Sequence, residues 1–153
     1  MKRIFLLPLL ALLVGCASIN IPNYVSPEKP YRKKFGFSYQ KTLKATEEAL
    51  TSSGWVIADS VDPSVYERSI VIEGENVNRV LIITEVKQLG FFLGTRYARI
   101  NINLHSSNDV STEVEIRYLT ANSMGFKTFY NYKHDKTAER LLRSIEKNLS
   151  LSN

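Results

Sequence analysis

The sequence predicts an α+β domain in which an antiparallel sheet of about five strands carries an N-terminal and a C-terminal helix on one face. Apolar residues recur at helical spacing at both ends of residues 37–150, and between these ends they alternate with polar residues. Strands that follow one another without intervening helices favour antiparallel pairing. One domain over residues 37–150 therefore accounts for most of the chain, and residues 151–153 form a short tail.

Residues 1–15 have the composition of an export signal. Two basic residues near the start precede eleven consecutive residues without a polar side chain, and Gly15 and Cys16 follow. This order is typical of a signal peptide. A membrane-spanning helix needs roughly 20 apolar residues, about twice this run. We therefore predict that the segment is removed rather than retained as a span.

The four residues at positions 13–16, Leu-Val-Gly-Cys, resemble the lipobox of bacterial lipoproteins. The resemblance implies cleavage between Gly15 and Cys16, and acyl chains that hold Cys16 on a membrane. Ala17 stands where an Asp would favour the inner membrane, so the resemblance implies the outer membrane and its periplasmic face. The alternatives are an ordinary secretory cleavage, or a buried N-terminal helix in which the cysteine occurs by chance.

Residues 16–36 are predicted to form the lipidated cysteine and a Pro-rich tether. They contain three prolines, which favour an extended chain of about 3.1 Å per residue and a reach of roughly 60 Å. The basic cluster Arg32-Lys33-Lys34 is a candidate for contact with anionic groups at the membrane surface. A solvated run of charges is the alternative interpretation.

The first predicted helix covers residues 39–53. Ser38 is a suitable N-cap, and Gly54 is a stop signal. The pattern then becomes strand-like at residues 55–58, 67–73 and 80–86, with a turn at Asp62-Pro63.

A long hairpin is predicted next, with strands at residues 97–104 and 110–118. Its alternation indicates one buried face and one solvent-exposed face, so Glu113 and Glu115 would be solvated carboxylates rather than an acid/base pair. The last predicted helix covers residues 135–149, and its apolar stripe should lie on the sheet.

Several of these features together resemble a known kind of domain. They are the Ala-Leu pair at positions 49–50, Gly-Trp-Val at 54–56, the strand at 111–117 and the terminal amphipathic helix. They resemble the small helix-grip domains of bacterial outer-membrane lipoproteins, such as those of the C-subunit lipoprotein of the β-barrel assembly machinery. The resemblance spans residues 39–149 and implies a helix-grip fold.

The sequence indicates no enzyme, no cofactor and no metal site. Its two histidines, His105 and His134, have no second ligand at metal-binding spacing, and no nucleophile or phosphate-binding motif occurs. The net charge of +5 falls to +3 without the leader, and the chain shows no stripe of interleaved aromatic and basic residues. Nucleic acid is therefore disfavoured as a partner.

The segment Phe91-Phe92-Leu93, between two glycines, is a candidate partner-binding patch. A loop tucked against the sheet is the alternative. Two functions follow as hypotheses. The first is a non-catalytic scaffold or interaction module for another envelope component, and the second is a periplasmic binder of lipid or a small hydrophobe. A pocket lined by both the sheet and the last helix would favour the second.

Overall fold

A computed structural model describes residues 20–67, 78–90, 95–108, 110–124, 127–133 and 135–151. It confirms an α+β fold with an antiparallel sheet, but the sheet has seven strands rather than about five. The predicted signal peptide, Cys16 and the patch Phe91-Phe92-Leu93 lie outside the described residues.

The described part of the chain contains seven strands and two helices, with one helix after the first strand and the other after the last strand. Their bounds, in chain order, are β1 Tyr31–Phe35, α1 Tyr39–Ser52, β2 Ile57–Val61, β3 Asn78–Thr84, β4 Lys87–Leu89, β5 Thr95–Asn108, β6 Ser111–Met124, β7 Lys127–Asn131 and α2 Asp135–Leu151. A short 3₁₀ helix, Pro63–Val65, follows β2, and the Asp62 carboxylate caps it by accepting from the Ser64 N–H at 2.8 Å.

The sheet is built around the β5–β6 hairpin. The main strand order is β1-β6-β5-β3-β2, and the short strands β4 and β7 pair with β5 and β6 respectively. Every pairing is antiparallel. The hairpin strands have fourteen residues each and extend beyond the predicted ranges. The extension of β6 gives β7 its pairing partners, residues 120–124, and β4 pairs with residues 96–98 of β5. The sequence pattern predicted neither β4 nor β7 as a strand.

Both helices contribute to one hydrophobic core with a single face of the sheet. Helix α1 begins where the Ser38 carbonyl accepts from the Thr42 N–H, and it ends before Gly54, whose φ of +71° glycine adopts readily. The Ser38 side chain makes no capping hydrogen bond. The predicted stripe of α2 is buried, apart from a half-buried Leu142. The buried core residues of the two helices are Ala45, Ala49, Leu50, Ala138, Leu141, Ile145 and Leu149.

The opposite face of the sheet was predicted to be solvent-exposed, and this prediction was wrong. Its residues Arg99, Asn101, Asn103, Glu115 and Arg117 are all buried. A segment that we call the N-terminal strap, residues 20–27, covers part of this face. Strand alternation shows which residues share a face, but it does not show whether another segment covers that face.

The strap also differs from the predicted tether. Ile21 and Val25 are buried in a second hydrophobic cluster with Leu119 and Ala121. The strand β1 then pairs with residues 112–116 of β6 and buries Phe35, so the domain begins well before residue 37. Prolines are compatible with an extended segment that packs on a sheet, because a proline differs from other residues there only in lacking a backbone N–H donor.

Candidate functional site

A cleft of about 350 Å³ lies where the helix-covered face of the sheet meets the beginning of α2. Its walls come from the end of α1, from β4, from β6 and from α2. The lining residues are Ser53, Trp55, Lys87, Leu89, Tyr118, Thr137, Arg140 and Leu141. The cleft is therefore lined by both the sheet and the last helix.

Two buried aromatic rings contribute the apolar part of the cleft. The rings of Trp55 and Tyr118 meet edge to face, with centroids 6.3 Å apart and planes at 87°. The turn at Gly54 brings Trp55 under α1, where the backbone N–H of Trp55 donates to the Leu50 carbonyl at 3.0 Å. Burial raises the pKa of the Tyr118 hydroxyl.

Among the described residues, the cleft lining contains two basic side chains and no acidic one. Lys87 donates to the Gly54 carbonyl at 2.9 Å, and its Nζ lies 5.1 Å from the centroid of a Trp55 ring. Arg140 is exposed on α2. Arg96 is the cross-strand partner of Leu89, and within the described part of the chain its buried Nε has no hydrogen-bond partner. This combination suits a ligand with an anionic group and an apolar body.

The strap-covered face holds a buried ionic network. The Arg117 guanidinium donates to Glu115 at 2.5 Å and also to Glu67, and Arg32 donates to Glu115 at 2.6 Å. Burial opposes the charge on Arg117, but its hydrogen bonds to Glu67 and Glu115 outweigh burial and raise its pKa. The Glu115 carboxylate is therefore held by two guanidinium groups, those of Arg32 and Arg117.

Tyr24 joins the strap to this network. Its hydroxyl donates to Glu67 at 2.7 Å, and its ring stacks on Tyr66 at 5.2 Å between centroids. Burial and the hydrogen bond to Glu67 raise the pKa of Tyr24 to about 12. The Arg117 guanidinium lies 5.4 Å from the Tyr24 ring centroid.

Two amide side chains fix the middle of the strap. Asn101 accepts from the Val25 N–H at 2.5 Å and donates to the Asn23 carbonyl at 3.1 Å. Arg99 donates to the Asn23 side chain, and burial lowers the pKa of Arg99. These contacts attach the strap to the sheet.

The predicted basic cluster Arg32-Lys33-Lys34 lies in β1, and it contributes none of the residues that line the cleft. Arg32 is bonded to Glu115, and Lys33 donates to Glu146 at 2.8 Å, while Lys34 is exposed. The other predicted site residues, Gly15, Cys16 and Phe91-Phe92-Leu93, lie outside the described residues. Contact of the basic cluster with a membrane remains a prediction, as do the lipidation of Cys16 and the patch Phe91-Phe92-Leu93.

Sequence reasoning missed the cleft as a site. Tyr118 and Leu141 were placed on apolar faces, but the pattern contained no signal that Lys87 and Arg140 would meet them. A cleft made from four separate chain segments has no local spacing to detect.

Within the described ranges, no three His, Cys, Asp or Glu side chains are grouped closely enough to hold a metal ion. No helix among the described residues has both the length and the apolar character needed to span a membrane.

No protein-family model matches this chain, and no curated protein sequence matches it.

Proposed function

We propose that this chain is an envelope lipoprotein, anchored by acyl chains on Cys16 at the periplasmic face of the outer membrane, whose domain binds a small amphipathic anion. The cleft between the sheet and α2 is the observation that carries the binding function. The sequence favoured a scaffold, but a pocket lined by both the sheet and the last helix supports the binder instead.

The volume and lining of the cleft support this choice. Small-molecule sites commonly have volumes of about 300–1,000 Å³, with mainly apolar walls and a few polar groups that orient the ligand. The space between the helices and the sheet is filled by fully buried side chains such as Leu50, Ile100 and Ile145. We therefore place the ligand at the rim of the core rather than inside it.

The basic groups define the class of ligand. A carboxylate or phosphate would lie near Lys87 and Arg140, and its apolar body would lie against Trp55, Leu89 and Leu141. An acyl chain with an anionic head fits this description, because a carboxylate or phosphate can accept charge-assisted hydrogen bonds from Lys87 and Arg140, which a neutral hydrophobe cannot do.

The single tryptophan of the chain lines the cleft, so its fluorescence reports occupancy directly. We would titrate the lipidated protein, held in nanodiscs of zwitterionic lipid, with decanoate below its micelle-forming concentration. We expect a saturable change in Trp55 emission, and decanol should bind more weakly because it lacks the charge.

Arg140→Gln should weaken decanoate binding about tenfold, the effect of losing one charge-assisted hydrogen bond. Arg143→Gln is the matched control, because Arg143 lies on the same helix and pairs with Glu139 at 3.7 Å rather than lining the cleft. If decanoate and decanol change the Trp55 emission equally, and Arg140→Gln does not alter either change, an anion-binding cleft is ruled out.

A scaffold for another envelope protein is the second candidate function. Val56 and Val86 are exposed and lie close together, because the Glu85 N–H donates to the Val56 carbonyl at 2.8 Å. This small apolar patch beside the cleft suits a protein contact. Alanine replacement of both valines should then reduce crosslinking to a partner in intact envelopes without changing decanoate binding.

We also propose that the domain is a helix-grip fold, as the sequence resemblance implies. It is supported by the shared packing of α1 and α2 on one sheet face. Membership of an outer-membrane assembly machinery has no further support and is not proposed.

A further inference from the structure

The strap fixes the position of the chain just after the proposed anchor. The Tyr130 hydroxyl on β7 donates to the Asn20 carbonyl at 3.0 Å, and Ile21 is buried beside Leu119 and Ala121. The first described residue therefore lies against the sheet at β7.

The distance from this point to the membrane is limited by the length of the chain. Asn20 is four residues after Cys16, and four residues of fully extended chain span at most about 14 Å. This limit replaces the reach of roughly 60 Å that a free tether would give. If Cys16 carries acyl chains, β7 must lie close to the headgroup layer, which is itself roughly 5–7 Å thick on each side.

The cleft lies at the same end of the sheet as β7. Cross-strand pairing runs from β4 through β5 and β6 to β7 in continuous rows. One such row is Leu89, Arg96, Asn122 and Phe129, and the next is Gln88, Tyr97, Ala121 and Tyr130. Three strand spacings separate Leu89 from Phe129, or about 14 Å. The binding cleft and the anchor-proximal strand thus share one end of the sheet.

The surface at this end suits a lipid headgroup layer. All five residues of β7 are exposed, including Phe129 at 53% and Tyr130 at 47%. Aromatic side chains favour the membrane interface, where an apolar ring and a polar edge are both accommodated. Residues 127–143 contain five Lys or Arg and two Asp or Glu, and this excess of positive charge attracts anionic headgroups.

We infer that this end of the sheet, comprising β4, β7 and the adjoining ends of β5 and β6, rests on the phospholipid surface that holds the anchor. The inference rests on the lipidation of Cys16 in the proposed function. Phe129 and Tyr130 enter the headgroup layer, and Lys127 lies beside lipid phosphates. The cleft then faces a local source of anionic amphiphiles.

Depth-dependent fluorescence quenching tests this orientation in the full lipidated protein. Phe129→Cys and Val110→Cys would each carry an environment-sensitive dye, in vesicles of phosphatidylethanolamine and phosphatidylglycerol containing headgroup-labelled quencher lipid. Val110 is the matched control, because it is an exposed hydrophobic residue at the opposite end of β6. Phe129 pairs with Asn122, twelve residues after Val110, so the two positions lie about 40 Å apart along the strand direction. A lipidated Cys16 has no free thiol to compete for the dye.

We expect the dye at position 129 to lose most of its emission and the dye at position 110 to keep it. Lys127→Cys serves as a second probe at the same end, in case Phe129→Cys disturbs β7. Equal quenching at both ends of β6, in protein whose mass shows a lipidated Cys16, would overturn the orientation alone. A mass showing an unmodified Cys16 would overturn the anchor and this inference with it.

Discussion

Replacing Arg117 with Met tests how far the buried ionic network stabilises the domain. The Arg117 side chain is 3% exposed, and it is bonded to two carboxylates, Glu67 and Glu115, which are themselves buried. Removing one partner of a buried ion pair typically costs about 3–5 kcal/mol, because the remaining charge loses its compensation. Arg117→Met should therefore destabilise the fold strongly.

Arg117→Met leaves two carboxylates without this partner, but each of them keeps another hydrogen bond, so the expected loss of stability stays within that range. Glu115 retains Arg32 at 2.6 Å, and Glu67 retains the Tyr24 hydroxyl at 2.7 Å. We therefore expect a total loss of about 3–5 kcal/mol rather than twice that amount. Adding Glu67→Gln and Glu115→Gln to Arg117→Met should recover part of it, since no uncompensated buried charge then remains.

Urea denaturation followed by Trp55 fluorescence measures this loss. With a denaturant slope of about 1–3 kcal/mol per molar urea, the midpoint should fall by at least about 1 M. Arg143→Met is the control, because Arg143 is 66% exposed in a surface pair and its loss should stay within about 0.5 kcal/mol. A loss below about 1 kcal/mol for Arg117→Met would refute the assignment of a buried, coupled network.

Two further predictions concern the strap. The pKa of Tyr24, raised to about 12 by burial and by the Glu67 hydrogen bond, exceeds its unfolded value of about 10. Its stabilising contribution should thus be complete below about pH 10 and be lost as pH rises towards 12. Tyr24→Phe should make the decline in denaturation midpoints across this range shallower, and the decline that remains includes the contribution of Tyr118, whose pKa burial also raises. In calorimetry without added metal, a chain that begins at Asn20 should unfold cooperatively. A chain that begins at Gly36 lacks the strap and β1 and therefore exposes Leu119, so it should unfold at a lower temperature or aggregate. Identical unfolding of the two chains would show that the strap is dispensable.

Local patterns in the sequence were sufficient to predict much of the fold. The alternation at Ile100, Ile102 and Leu104 correctly identified the face of β5 that meets the helices, and the α2 stripe correctly identified its inner face. Both patterns depend on spacing within one element, which the sequence displays directly.

Features that depend on distant segments were missed. The Pro-rich composition of residues 20–30 suggested a free tether, but Asn101, seventy-six residues after Val25, holds the strap on the sheet. The same limitation hid the cleft, because Lys87 and Arg140 lie fifty-three residues apart in the sequence and line one cleft only in the folded domain. The prediction that Glu115 is solvated was wrong for a related reason. Its partners Arg32 and Arg117 are brought together only when β1 pairs with β6.

Mass spectrometry of the mature N-terminus tests the central claim most directly, because the anchor determines both the location of the domain and its orientation. We expect a mature chain that begins at Cys16 and carries the added mass of two or three acyl chains, and Cys16→Ser should abolish this mass and release the protein from membranes. An unmodified Cys16 in the mature protein, or cleavage at another bond, would contradict this expectation.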